Sequence, residues 1–225
     1  MAVVLSLNIA QRTVPVDYAR EGATGIDKRP VDGPLEVRAP GAKSSGVSSS
    51  GVIGSGVVGD AIADKANHGG DYQAVYAYAR EDLDWWQAEL GADLRNGQFG
   101  ENLTTRGIDQ THARIGERWR VGTALLEVTA PRIPCRTFAG FLGRQGWVKR
   151  FTEVARPGAY LRVLEAGLVA AGDEIAVVHR PEHDVTVELF FRAVLTEADL
   201  LPRLLEAGDS VPPEVVDLVH RRTAV

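Results

Sequence analysis

A single cysteine, Cys135, stands in Pro131-Arg132-Ile133-Pro134-Cys135-Arg136, with an arginine on either side of its thiol and two prolines stiffening the backbone. A fixed positive charge near sulfur favours the anionic form, and the thiolate is the species that attacks electrophiles or ligates soft metals. Each proline fixes its own φ and pushes the residue before it toward extended backbone, which holds the sulfur in one direction. Taken alone, the cysteine is equally compatible with a small buried apolar residue.

Two further clusters carry chemical groups at suggestive spacing. In His68-Gly69-Gly70 the glycines let the backbone approach a ligand and leave amide donors at the start of the helix expected next, where anions are favoured. The competing reading is a tight turn with a structural histidine. In Gly97-Gln98-Phe99-Gly100-Glu101-Asn102-Leu103-Thr104-Thr105, Asn102 offers a donor and an acceptor that suit a heterocycle edge. An Asx-type turn that satisfies its own backbone is the plainer alternative. Lys28 in Lys28-Arg29-Pro30 and Arg162 in Gly158-Ala159-Tyr160-Leu161-Arg162-Val163 add cations able to converge on one anionic group, although each singly reads as a surface charge.

Other chemistries are disfavoured. The 25 Lys and Arg against 30 Asp and Glu give a net charge of −5, and an acidic chain without a basic block argues against nonspecific nucleic-acid binding. Any anionic ligand therefore needs a local pocket of cations. One cysteine leaves no internal disulfide. No basic segment precedes an apolar run at the start of the chain, and no stretch approaches the ~18 apolar residues that span a bilayer, so a cytoplasmic location without a membrane partner is expected. His68, His112, His179, His183 and His220 match neither zinc-finger nor HExxH spacing. A cysteine hydrolase would need a histidine beside Cys135, and His68 alone lies in a setting that invites the idea. Gly54-Ser55-Gly56 lacks the strand-turn-helix context of a nucleophile elbow, and no Walker or dinucleotide glycine pattern occurs.

The elements that must position these groups read as a mainly β, α+β protein. Short β-rich runs occur at Val3 to Ile9, Pro34 to Arg38, Arg118 to Val121, Ala124 to Thr129 and Glu174 to His179, each flanked by turn formers. From Tyr72 to Leu90, Val75, Tyr78, Ala79, Leu83 and Trp86 recur at three- and four-residue steps before Gly91, a pattern that predicts one long helix. The Ser/Gly/Val-rich segment from Gly41 to Gly59 reads as a mobile loop. After Arg180-Pro181, Val185 to Val194 reads as a strand or a helix start, and Glu197 to Leu205 and Pro213 to Arg222 read as helices. The expected division is residues 1–180 and a small C-terminal helical domain, 181–225.

Lys28 in Ile26-Asp27-Lys28-Arg29-Pro30-Val31, Gly59-Asp60 with Asp64 and His68-Gly69-Gly70, Phe99-Gly100-Glu101-Asn102-Leu103, Ile115-Gly116-Glu117 and Pro131 to Cys135 together resemble the MOSC domain family, nearest its stand-alone YiiM-like branch. The resemblance runs through Gly158 to Arg162 and Gly172-Asp173 toward the C-terminus. It implies a β-barrel-like core with a small helical domain behind it, and a molybdenum cofactor (Mo-molybdopterin). Cys135 is the implied molybdenum ligand and catalytic residue, with Lys28, His68, Asn102, Arg132 and Arg162 as cofactor contacts. The implied reaction is reduction of N-hydroxylated compounds by N–O cleavage, with electrons from an external electron-transfer protein, since one cysteine cannot supply an iron–sulfur cluster. The helices after Glu197 are expected to form a homodimer contact or to cover one side of the pocket. Two alternatives stand beside this: a sulfur carrier or cofactor-delivery protein with a persulfide on Cys135, and a binding module whose cysteine is structural.

Overall fold

The computed structural model describes residues 1–41 and 54–223. Most of the segment expected to be a mobile loop therefore lies outside the described residues. Its last part is ordered against the small strand β5 (Leu35–Val37) through a bridge between Val37 and Val57.

Eight strands form one sheet. They are β1 (Val3–Ile9), β4 (Arg29–Val31), β6 (Val75–Ala79), β7 (Leu103–Arg106), β8 (Arg118–Val121), β9 (Ala124–Pro131), β10 (Ala159–Glu165) and β12 (Ile175–His179), in the order β12-β8-β9-β10-β6-β7-β1-β4. All neighbours are antiparallel except β6 and β7. Two small pairs flank it: β5 with β11 (Gly167–Val169), and the hairpin of β2 (Val14–Pro15) and β3 (Ala23–Thr24). The expected α+β, barrel-like core is seen, with the sheet curling round but not closing into a barrel. The first half of β1 meets the turn before β12, where Val4 N–H donates to the Asp173 carbonyl at 2.9 Å and Gly172 N–H donates to the Val4 carbonyl at 2.8 Å. The second half of β1 is taken by β4. Among the described residues a bridge from Val3 to Glu174 links β1 to the start of β12, while β4 at the other end of the sheet stays unpaired with β12.

The long helix expected from Tyr72 to Leu90 is corrected. Val75–Ala79 is a strand in the middle of the sheet with every residue buried, and the helix α1 spans only Arg80–Leu90. A strand covered on both faces has no polar positions to mark its period of two, so an apolar run continuous with an amphipathic helix is ambiguous by periodicity. Chemistry at the boundary agrees: Glu81 and Asp82 occupy the first turn of α1, and Gly91 ends it in the left-handed region. His68-Gly69-Gly70 consequently leads into a short 3-10 turn, Asp71–Gln73, and then β6, not into a helix.

Two helices without a clear sequence signal follow β9: α2 (Arg136–Leu142) and α3 (Trp147–Val154). Trp86 from α1, Phe138 from α2, Trp147 and Phe151 from α3 and Phe99 from the turn before β7 form one aromatic cluster. Ring centroids lie 4.7 Å apart for Trp86 and Trp147 and 5.1 Å apart for Phe99 and Phe138. All five rings are buried, which fixes the Phe99 turn and α2 relative to each other.

Beyond β12 the chain forms α4 (Val187–Leu195), a 3-10 stretch (Ala198–Ser210) and α5 (Pro213–Thr223). Thr186 caps α4 by accepting from Leu189 N–H at 3.1 Å. The helix expected at Glu197 to Leu205 is 3-10 in character, with Pro202 inside it, because proline removes an amide donor and crowds the preceding turn. Phe190, Phe191, Leu201 and Leu204 of this segment belong to the same continuous apolar core as the sheet.

Candidate functional site

A cleft of about 720 Å³ of atom-free space, open to solvent, lies where β9 ends and α2 begins. Lys28, His68, Asn102, Arg132 and Cys135 all line it. One wall is the stretch from Ala19 to Ile26, carried by the β2–β3 hairpin. Residues Asp60 to Asp64 and His68-Gly69 supply another. Gly69 adopts φ 80°, and a Cβ there would stand 2.7 Å from the Gly54 carbonyl oxygen, so only glycine permits this close backbone crossing.

Cys135 is half-buried, in extended backbone, immediately ahead of α2. The two flanking arginines part company. Arg132 turns into the protein and lines the cleft, whereas Arg136 is exposed and does not. Arg132 is 6% exposed, its guanidinium carbon 4.5 Å from the Phe138 ring centroid and 5.0 Å from that of Tyr76. Its Nε has no hydrogen-bond partner, and among the described residues no carboxylate forms an ion pair with it. A buried charge of this kind is costly unless a counter-charge arrives.

Lys28 is different. Its ammonium is buried and bonded to both carboxylate oxygens of Asp60, whose side chain is fully enclosed. Burial lowers the Lys28 pKa below the ordinary lysine value, and Asp60 opposes that shift. Asp60 also accepts from Ala10 N–H and from the Asn102 amide, both at 2.9 Å. Asn102 is spent as well: its Oδ1 accepts from Tyr76 N–H at 3.1 Å, and its backbone ties β6 to β1. The heterocycle-reading role that the sequence offered Asn102 thus meets a side chain already committed to Asp60 and β6.

Neighbouring Glu101 is fully buried and accepts from Gly97 N–H at 2.5 Å, Phe99 N–H at 3.0 Å and the Thr104 hydroxyl at 2.8 Å. Burial raises its pKa above the usual carboxylate range, and these donors oppose the rise. The turn therefore satisfies itself around Glu101, close to the plainer of the two readings of this motif. Gly97, at φ 78°, has the Lys28 carbonyl 2.5 Å from where a Cβ would stand, which packs the Lys28 strand against this turn.

Arg162 does not line the cleft. It pairs with buried Glu127 at 2.6 Å and donates to the Asp209 carbonyl at 2.9 Å, with its guanidinium over the Tyr72 ring. Asp60, Tyr76, Gln73 and Tyr160, none of them a sequence candidate, do line it. Asp60 carried a signal in the Gly59-Asp60 motif. The tyrosines carried none, since an aromatic residue in a β run reads as core.

A model of the MOSC domain matches residues 64–176, which includes His68, Asn102, Arg132 and Cys135. The chain belongs to the MOSC domain family. Uncharacterized protein YflK of Bacillus subtilis is 34% identical to this MOSC protein over 186 residues, 82% of this chain and 77% of YflK. A protein named Reductase from Gibberella moniliformis is 35% identical over 120 residues, 52% of this chain but 21% of that longer protein. Protein YiiM of Escherichia coli is 30% identical over 129 residues, 56% of this chain and 57% of YiiM. Among solved structures, YiiM from Geobacillus stearothermophilus superposes with a TM-score of 0.76 at 21% identity, covering 99% of both chains. No helix among the described residues is long and apolar enough to cross a membrane.

Proposed function

We propose that the cleft holds a molybdenum cofactor and that the protein reduces N-hydroxylated compounds, with electrons delivered by an external electron-transfer protein. The observation that carries this reading is Arg132, a buried guanidinium in the cleft wall with no carboxylate partner among the described residues. A phosphate-bearing group supplies the missing counter-charge through charge-assisted hydrogen bonds. Cys135 is the chain's one thiol, half-buried on the same cleft, and thiolate suits a soft redox metal. Among the described residues no group of three or more His, Cys, Asp or Glu side chains could hold a bare metal ion. The residues present, Arg132 for the phosphate and Cys135 for the metal, fit the cofactor.

When bound, the cofactor supplies two-electron oxygen chemistry. The chain's own contribution is binding, orientation and exclusion of water. Arg132 anchors negative charge, Cys135 fixes one coordination position, and the Gly69 backbone lets the ligand lie close to the wall. Lys28 and Asp60 hold the shape of the cleft as a neutral pair. The name of the fungal relative supports a reductase. A boundary at residue 180 is proposed only for the family-matched part, which ends at residue 176, since the helices beyond it share one apolar core with the sheet.

The test is catalytic. Protein from a host that makes the cofactor, given a reduced viologen dye and an N-hydroxylated amidine, should form the amidine. Cofactor-loaded protein that leaves the compound unchanged would overturn the activity. A second reading, sulfur delivery through a persulfide on Cys135, is favoured by the partial exposure of that thiol, and mass spectrometry for one added sulfur distinguishes it.

A further inference from the structure

We propose that Tyr160 is the hydrogen-bond donor that addresses the oxygen of the substrate's N–O bond, an inference that rests on the function proposed above. Three tyrosines stand on the two adjacent strands beside the cleft, Tyr76 and Tyr78 on β6 and Tyr160 on β10. The Tyr76 hydroxyl donates to the Pro157 carbonyl and the Tyr78 hydroxyl to the Arg156 carbonyl, each at 2.8 Å. Both phenols are thus tied to one loop. Tyr160 lines the cleft and is 8% exposed, and its hydroxyl makes no hydrogen bond to another described residue. It is not one of the sealed unpartnered atoms of the interior, so the phenol is left free to donate to a ligand in the cleft.

Sheet register delivers that hydroxyl to the reacting region. Tyr160 lies opposite Ala130 of β9 on one side and Tyr76 of β6 on the other, with the two tyrosine rings 5.0 Å apart. Just past Ala130 the chain leaves β9 through Arg132 to Cys135. Arg132 and Cys135 line the same cleft as Tyr160. One face of the cleft thus gathers a thiol, a guanidinium and a single uncommitted phenol.

The chemistry needs such a donor. In two-electron reduction of a hydroxylamine the N–O bond breaks. Two electrons come from the external electron-transfer protein and two protons from solvent, and the products are an amine and water. Negative charge grows on the departing oxygen. A donor already aimed at that oxygen binds it more strongly in the transition state than in the ground state, which raises kcat more than it lowers KM.

Tyr160→Phe removes the hydroxyl and keeps the ring. Wild type and Y160F from a cofactor-producing host should be compared for molybdenum and pterin content, for thermal melting, and for kcat and KM with an N-hydroxylated amidine and a reduced viologen dye. We expect equal cofactor content, equal melting, nearly unchanged KM, and kcat lower by roughly 100-fold, the scale of losing one preorganised oxyanion donor. Equal kcat in two loaded proteins overturns this inference and leaves the proposed function standing. Loss of cofactor from Y160F also overturns it, since the phenol would then hold the cofactor. Wild type that carries no cofactor, or carries it without reducing the compound, overturns the parent reading and this one together.

Discussion

Replacing Arg132 with methionine should stabilise the cofactor-free protein, the opposite of what a buried substitution usually does. The guanidinium is 6% exposed and forms no ion pair among the described residues, its Nε is sealed without a partner, and buried Glu101 acts on it without contact. An unpaired buried ion costs several kcal/mol even after relaxation. Against that stand two cation–π contacts, at 4.5 Å to Phe138 and 5.0 Å to Tyr76, each worth about 1 kcal/mol. Taking roughly 4 kcal/mol for the ion and roughly 2 kcal/mol for the two contacts leaves a gain of about 2 kcal/mol on Arg132→Met. For a chain of this size that raises the melting temperature by roughly 4–8 °C. Methionine keeps the apolar stem and adapts to the gap. The assay is guanidinium and thermal unfolding of both proteins from a host that cannot make the cofactor, beside cofactor content from one that can. The same variant should lose most of its cofactor. If R132M unfolds more easily by 1 kcal/mol or more, the guanidinium is a structural strut and the anion-site argument fails.

Asp60→Asn strips the counter-charge from buried Lys28 and should cost about 3–5 kcal/mol in urea unfolding. Adding Lys28→Met should recover much of that loss, and a double variant no more stable than the single would show the two residues to be uncoupled. Asp82 is lifted from 3.8 to about 6, chiefly by burial, with Arg156 opposing. The native state therefore binds more protons than the unfolded chain between roughly pH 4 and 6, and stability falls as pH rises through that window. Asp82→Asn should flatten this slope, and an equal stability difference at pH 4.5 and pH 7.5 would contradict the assignment. Ending the chain at Arg180 removes buried Val185, Val187, Phe190 and Phe191 and should abolish cooperative melting, whereas a well-folded residue 1–180 fragment would show that the first part stands alone.

Much of the framework was legible because its strands are short, apolar and bounded by turn formers. Val3–Ile9 and Arg118–Val121 match their sequence runs. β6 was not legible, since burial on both faces erases the alternation that separates strand from helix. α2 and α3 were not, because their apolar residues, Phe138, Trp147 and Phe151, are too few to set a period in helices of seven and eight residues. At the site, the family resemblance had grouped Lys28, His68, Asn102, Arg132 and Cys135, and all five line one cleft. What spacing could not give was which of their atoms stay uncommitted. Lys28 and Asn102 are consumed by Asp60 and Arg162 by Glu127, and the tertiary structure leaves the Arg132 Nε without a partner and brings Tyr160 to the cleft.

The most direct measurement is metal and pterin analysis of wild type and Cys135→Ser, purified anaerobically from a host competent in molybdenum-cofactor synthesis, with melting curves recorded for both. The account expects near-stoichiometric molybdenum and pterin in wild type and loss of molybdenum in the serine variant, with the fold intact in each. Folded wild type without molybdenum, or equal molybdenum in both proteins, would contradict Cys135 as the ligand that holds the metal in this cleft.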